Sequence, residues 1–185
     1  LPSDLEYPVY EINQVRGVNP QGVLDSISTA CELRGIVHGW NDYPTGLQFT
    51  LIDPTNGINV FSPVSNFGYN VQEGDSVRVR GVVDQYLGLA QIRIDTLIFE
   101  GSGFPSDTPQ LVFEMDEETE SRIVKLKCTE LVDLADWTNT TPGFNVRLAF
   151  GQQEIIMRID ANTDLFGTPV PVGVFGVTGI GGQSD

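Results

Sequence analysis

General acid–base or nucleophilic chemistry at neutral pH calls for a histidine, or for a serine or cysteine beside a base. This 185-residue chain has a single histidine, His38, in the middle of a strand-like run. No spaced Ser, His and Asp set accompanies it, and no glycine-rich phosphate loop, so His38 is read as an exposed strand residue and the chain as a non-enzyme. The two cysteines, Cys31 and Cys128, lack the paired spacing of a metal or redox site and are read as two small buried hydrophobes. Residues Glu114 to Glu120 hold five carboxylates in seven positions. Calcium needs six to eight oxygens in a shaped loop, and the Asp-x-Asp-x-Asp-Gly alternation of a dedicated site is missing. The run is read as solvated and self-repelling, with no metal and no cofactor expected.

What remains is binding chemistry. Trp40, Tyr43, Phe61, Tyr86 and Trp137 carry rings that can stack on a sugar face, a base or a peptide, or can cap a barrel end as a small satellite core. Arg34, Arg78 and Arg80 alternate with apolar residues and point away from the core, forming the one basic cluster; ordinary cross-strand pairing with Glu32 is its competing reading. The overall balance is 10 basic against 25 acidic side chains, a formal charge of −15. Both halves share it: residues 1–105 carry five basic and twelve acidic groups, residues 106–185 five and thirteen. Nucleic-acid binding draws much of its affinity from cationic contacts to phosphate, so so acidic a surface argues against that partner. No apolar run approaches the roughly 20 residues needed to cross a bilayer, and no membrane insertion is expected. The start at Leu1-Pro-Ser-Asp is neither a methionine nor a signal peptide, as expected of an excised fragment.

The elements that must position these groups are strands. From Cys31 the pattern alternates strictly, with Leu33 and Val37 on the core side and Glu32, Arg34, Ile36 and His38 opposite. Leu47, Phe49 and Leu51 form a second stripe, and Asp53-Pro-Thr-Asn-Gly57 supplies hairpin-loop chemistry before a third strand, Ile58 to Ser62. Val77, Val79 and Val83 mark a fourth strand, and Ala90 to Phe99 follow as its partner. A similar succession recurs at Arg122–Cys128, Phe144–Phe150, Glu154–Ile159 and Val172–Thr178, and Val79-Arg-Gly-Val82 matches Val174-Phe-Gly-Val177. The expected organisation is an extended arm over 1–30, a first module over 31–100, a linker with the acidic run over 101–120, and a second module over 121–185 that lacks its last strand.

Five strands with a tight two–three hairpin, a longer three–four connection and a short four–five turn resemble the oligonucleotide/oligosaccharide-binding fold, a small Greek-key barrel. The runs CELRGIVHG, LQFTLIDPTNGINVFS, EGDSVRVRGVVDQY and GLAQIRID are also similar to modules of large secreted and cell-surface proteins of Bacteroidetes. The resemblance implies an all-β chain of two tandem barrels and an extracellular or cell-surface location. It implies that Trp40, Tyr43 and Tyr86 converge at one barrel end with Phe61 beside them, that Trp137 takes the corresponding loop of the second module, and that the arginines of strands one and four share a patch. The function so implied is non-catalytic, presenting an aromatic cleft to a protein or glycan. Its competitor is a single-stranded nucleic-acid accessory of an extracellular nuclease. An incomplete second barrel leaves unpaired strand edges, which residues 7–16, another chain or a continuation is expected to cover.

Overall fold

The computed structural model of the chain describes residues 7–183. In chain order its strands are β1 Ala30–His38, β2 Leu47–Ile52, β3 Gly57–Ser62, β4 Ser76–Tyr86, β5 Leu89–Gly101, β6 Gln110–Leu111, β7 Ile123–Leu131, β8 Gly143–Phe150, β9 Gln153–Asp160 and β10 Phe175–Ile180. The only helical elements among the described residues are three short 3-10 turns, at Ile12–Val15, Glu117–Thr119 and Leu134–Asp136. The chain is all-β. It divides into two compact units: one holds the residues through Thr108 with Glu120–Arg122 and Ile180 onward, the other Pro109–Thr119 with Ile123–Gly179.

The first unit is a closed barrel of order β1-β2-β3-β5-β4, in which β3 and β5 run parallel and β4 closes back onto β1. That is the strand order of the oligonucleotide/oligosaccharide-binding fold. Following paired residues around the barrel from Ala30 through Val82, Arg93 and Phe61 to Gln48 leads back to β1 at position 40, a stagger of ten residues. So large a stagger on five strands demands steep tilt and a narrow interior. The interior is filled by the predicted stripes: Leu33, Val37, Leu47, Leu51, Ile58, Val60, Val77, Val79 and Ile92 are all fully buried. Each contributes about 1.5–3 kcal/mol relative to exposure.

Residues expected to form an extended arm are instead part of this barrel. Pro8 to Tyr10 pair with Glu32 through Tyr10 N to Glu32 O, 3.1 Å, and Glu32 N to Pro8 O, 2.9 Å. They cover the half of β1 that β2, which pairs only at Ile36 to His38, does not reach. The arm therefore adds to β1 of the first barrel and not to the edge of the second sheet. The chain then turns through Ile12–Val15, whose Ile12 amide donates to Asp53 Oδ2 at 2.8 Å, and Ile12, Val15 and Leu24 join the barrel core. Residues 12–24 plug the end at which β2 turns into β3. Their apolar spacing follows neither a strand nor a helix period, so no regular pattern announces the plug.

The expected 101–120 linker is also divided. Leu111 and Gln110 form β6 against β7, while Glu120 belongs to the first unit and is fully buried.

The second unit is an open sheet of order β10-β7-β8-β9, with β6 pairing β7. This corresponds to β4-β1-β2-β3 of the first barrel, with no counterpart of β5 among the described residues. Two small clusters form its core, one around Val124, Leu126 and Phe150 and one around Phe144, Val146, Leu148 and Ile159.

Candidate functional site

The turn from β1 to β2 is held by one side chain. Asn41 Oδ1 accepts the amides of Tyr43 at 3.1 Å and Gln48 at 2.9 Å, and Asn41 Nδ2 donates to Gly46 O at 3.2 Å. Asp42 N to Gln48 O and Gly46 N to Tyr43 O complete the cage. Gly46 is required there, because a Cβ would lie 2.1 Å from Ser62 O. The cage holds Tyr43 edge-on to Phe61, ring centroids 5.3 Å apart at 73°. Both rings are half-buried, as is Trp40, which forms no ring pair among the described residues. Tyr43 and Phe61 thus pack together at the turn that Trp40 opens, and the residues after Phe61 line a solvent-open groove of about 490 Å³ whose walls include Ser62, Pro63, Val64, Val82 and Arg93.

Tyr86 does not belong to it. β1 and β4 are antiparallel, Ala30 facing Val82, so the β4–β5 turn lies beside the start of β1 while the Trp40–Thr45 turn follows its end. Gln85 confirms the placement by accepting the Leu24 amide at 3.1 Å. Tyr86 stands alone at the opposite end, 64% exposed. The expected convergence of Trp40, Tyr43 and Tyr86 is corrected on this point, since the stagger puts the two turns at opposite ends of one side.

The outer face between those ends is partly occupied by the chain itself. Gly57 and Ile52 face each other across β2 and β3, and Ser121 O lies where a Gly57 Cβ would be, at 1.8 Å. Ile52 is 2% exposed despite its outward register. Arg122 Nη1 donates to Thr55 O at 3.0 Å, Ser121 N donates to Gly181 O at 2.8 Å, and Gly181 N donates to Arg122 O at 2.9 Å. Below them a buried ion pair joins Arg16 Nη1 to Glu120 Oε1 at 2.6 Å; the same oxygen accepts the Ala90 amide, and Arg16 Nη1 also donates to Gly57 O. Glu120 was expected in a solvated run, and its burial is a correction: the neighbouring Glu114, Asp116 and Glu118 are exposed as anticipated.

The arginines do share a patch, and it is engaged. Glu32, 3% exposed, meets Arg80 Nε at 2.7 Å, Arg34 Nη2 at 3.2 Å and Arg78 Nη1 at 3.6 Å, and Arg78 Nε also meets Glu100 at 3.2 Å. Burial raises the Glu32 pKa, but the hydrogen bonds from Arg80 and Arg34 and the charge of Arg78 outweigh it and hold the carboxyl below its ordinary value.

His38 is not exposed. It is 1% accessible, with Nδ1 4.0 Å from Glu73 Oε1 and neither ring nitrogen hydrogen-bonded. Burial lowers its pKa, against the opposing pull of Asp107 and Glu73. The cover comes from the β3–β4 connection, where Gly74 and Asp75 pair with Val37. Cys31 is buried, and burial pushes its thiol up to about 11. Cys128 is exposed, contrary to its reading as a core residue, at a position where φ is +59°.

In the second unit Trp137 occupies the turn between β7 and β8, as expected, but it is tied down. Its Nε1 donates to Thr168 O at 3.0 Å and its ring packs on Phe144 at 5.6 Å. No group of three or more His, Cys, Asp or Glu side chains suited to a metal ion is present among the described residues.

No family model matches the chain, and no curated protein does. Among solved structures it is similar to a putative aspartyl-tRNA synthetase from Leishmania major Friedlin, at 8% identity over 56% of this chain and 23% of that one, TM-score 0.42. It is also similar to the hypothetical protein ygiW from E. coli, at 15% identity over 52% of this chain and 100% of that one, TM-score 0.38. The chain thus spans less than a quarter of the synthetase. The fold assignment rests on the chain's own strand order and register.

Proposed function

We propose that this chain is a non-catalytic binding module of a larger exported bacterial protein, and that the rim of Trp40, Tyr43 and Phe61 takes a protein or glycan ligand. The observation that carries the reading is the Asn41 cage, which orders the turn that sets Tyr43 against Phe61. A turn held rigid before binding loses little entropy when a ligand arrives. The exported setting is supported by the resemblance of the strand runs alone. The −15 charge and the engagement of Arg34, Arg78 and Arg80 by Glu32 and Glu100 weigh against a nucleic-acid partner.

The test is a titration of Trp fluorescence against a carbohydrate panel and candidate protein ligands. Saturable binding lost in Trp40→Ala and Tyr43→Ala, and kept in Tyr86→Ala, is the expected result. Binding that survives the first two changes and fails in the third would move the site to the other end. Tight, steeply salt-dependent binding of fluorescent single-stranded DNA would replace the reading altogether.

A further inference from the structure

The single histidine of the chain is buried without a hydrogen bond, and what buries it is thin. His38 stands on the outward register of β1 opposite Thr50 of β2, 1% accessible, and neither Nδ1 nor Nε2 has a partner. Two short stretches close over this end of β1. Residues 72–75 of the β3–β4 connection are bonded to it through Gly74 N to Val37 O, 3.0 Å, and Val37 N to Asp75 O, 2.8 Å. Residues 104–107, which follow β5, are tied to the first stretch through Phe104 N to Gly74 O, 2.9 Å, and Ser106 Oγ to Glu73 Oε1, 2.6 Å. Gly74 is fitted to that contact: its φ is +85°, and a Cβ there would lie 2.8 Å from Phe104 O. Neither stretch supplies a residue to the hydrophobic core of the barrel, and Gln72, Glu73 and all of 104–107 are exposed. A segment held by a few backbone bonds and by no core side chain opens locally, at far less than the free energy of global unfolding.

We propose that His38 is the latch of an acid-opened cover: on taking up a proton it releases residues 72–75 and 104–107 from the end of β1 and loosens the turn that carries Trp40 and Tyr43. Neutral, the ring can stay in the closed place; charged, it is left there without a hydrogen-bond acceptor. The carboxylates of the two covering stretches are Glu73, Asp75 and Asp107, and β2 adds only the uncharged Thr50. Glu73 Oε1 lies 4.0 Å from Nδ1 and is already held by Ser106, while Asp75 Oδ2 accepts from Tyr69 Oη at 2.7 Å. Asp107 and Glu73 favour the protonated ring, but burial outweighs them and sets its pKa below the ordinary value. In the open state the ring is hydrated and regains that ordinary value of about 6.5. The open state therefore binds the proton better, and its share rises as the pH falls, by up to about tenfold per unit. Only Gly39, at φ +79°, separates His38 from Trp40, so release of this end of β1 reaches the Asn41 turn directly. That acid weakens a ligand there rests on the reading of Trp40, Tyr43 and Phe61 as its rim; the latch itself does not.

Native-state hydrogen exchange of the whole chain, corrected for the intrinsic pH dependence of exchange, tests the latch with no ligand present. Between pH 7 and 5.5 the protection of the Val37, Gly74 and Phe104 amides is expected to fall about five- to tenfold, and that of the Tyr43 and Gln48 amides, which Asn41 Oδ1 accepts, to fall with it. Low urea that speeds exchange in β2 and β4 should leave these amides unchanged, as local opening requires. In His38→Gln their protection should hold constant over the same range. Should that variant unfold by circular dichroism, Glu73→Gln combined with Asp107→Asn decides: a response owed to the ring persists, and one owed to those carboxylates disappears. Disappearance there, an equal fall in His38→Gln, or a urea dependence matching that of β2 and β4 would overturn the proposal. Protection that rises at acid pH would mean that Glu73 closes on the charged ring and would overturn it as well. A fall in the cover with Tyr43 and Gln48 unmoved would overturn the coupling to the turn.

Discussion

One strand separates the two sheets of this molecule. β4-β1-β2-β3 and β10-β7-β8-β9 share an order, but β5 bridges the first set and no described strand bridges the second. The consequence is visible at matching positions. Ile58, Val60, Val77 and Val79 have no exposed surface, whereas Ile155, Met157, Phe175 and Val177 keep part of theirs. Alternation alone therefore does not make a core; closure does, by supplying the last wall of apolar contacts.

The largest effect that would break this contrast is expected at the base of the barrel. Glu120→Ala removes the carboxylate that meets both the buried Arg16 and the Ala90 amide, and should cost about 3–5 kcal/mol. Arg16→Met with Glu120→Met should recover much of that loss. Both are read from the first-unit transition in urea, with Trp40 as reporter in a Trp137→Phe background.

Next comes the pair that sharpens the contrast directly. Ile58→Ala in the closed barrel should cost about 2–5 kcal/mol, and Ile155→Ala in the open sheet less than about 1.5. Equal losses in chemical denaturation would mean that Ile155 is as well covered as Ile58.

His38 provides a smaller, pH-dependent effect confined to the closed barrel. Its folded pKa lies below its unfolded value of about 6.5, so the unfolded chain binds the extra proton and stability falls as the pH drops through that value. One proton limits the slope to about 1.4 kcal/mol per pH unit. His38→Gln should flatten the decline between about pH 7 and 5.5; an unchanged profile would assign it to other groups. The smallest effect is expected for Arg34→Ala, about 0.2–1 kcal/mol in the same denaturation assay, because half of that side chain is exposed.

What the chain discloses before folding follows from local period. The stripes Leu33–Val37, Leu47–Leu51 and Val77–Val83 carry their strands plainly, as does the turn chemistry of Asp53–Gly57, and the cross-strand pairing of Glu32 with Arg78 and Arg80 follows from strand order. Features set by distant contacts are silent. Glu120 reads as one of five carboxylates in an exposed run until Arg16, far away in sequence, meets it. His38 alternates onto an outer face, yet the β3–β4 connection folds over it. Tyr86 and Tyr43 sit in equally good turns, and only the ten-residue stagger of the barrel reveals that they mark opposite ends. Trp40, Tyr43 and Phe61 are legible in the sequence as rings on the β1–β2 turn and on β3; the Asn41 cage that orders the turn is not, because its hydrogen bonds depend on the turn already being closed.

The contrast between the sheets is tested most directly by amide hydrogen exchange on the isolated chain, resolved strand by strand. The account predicts that the edge-facing amides of Gln153–Asp160 and Phe175–Ile180 exchange orders of magnitude faster than the amides of Gly57–Ser62 and Ser76–Tyr86, which β5 covers. Uniform slow exchange across all four strands would contradict it.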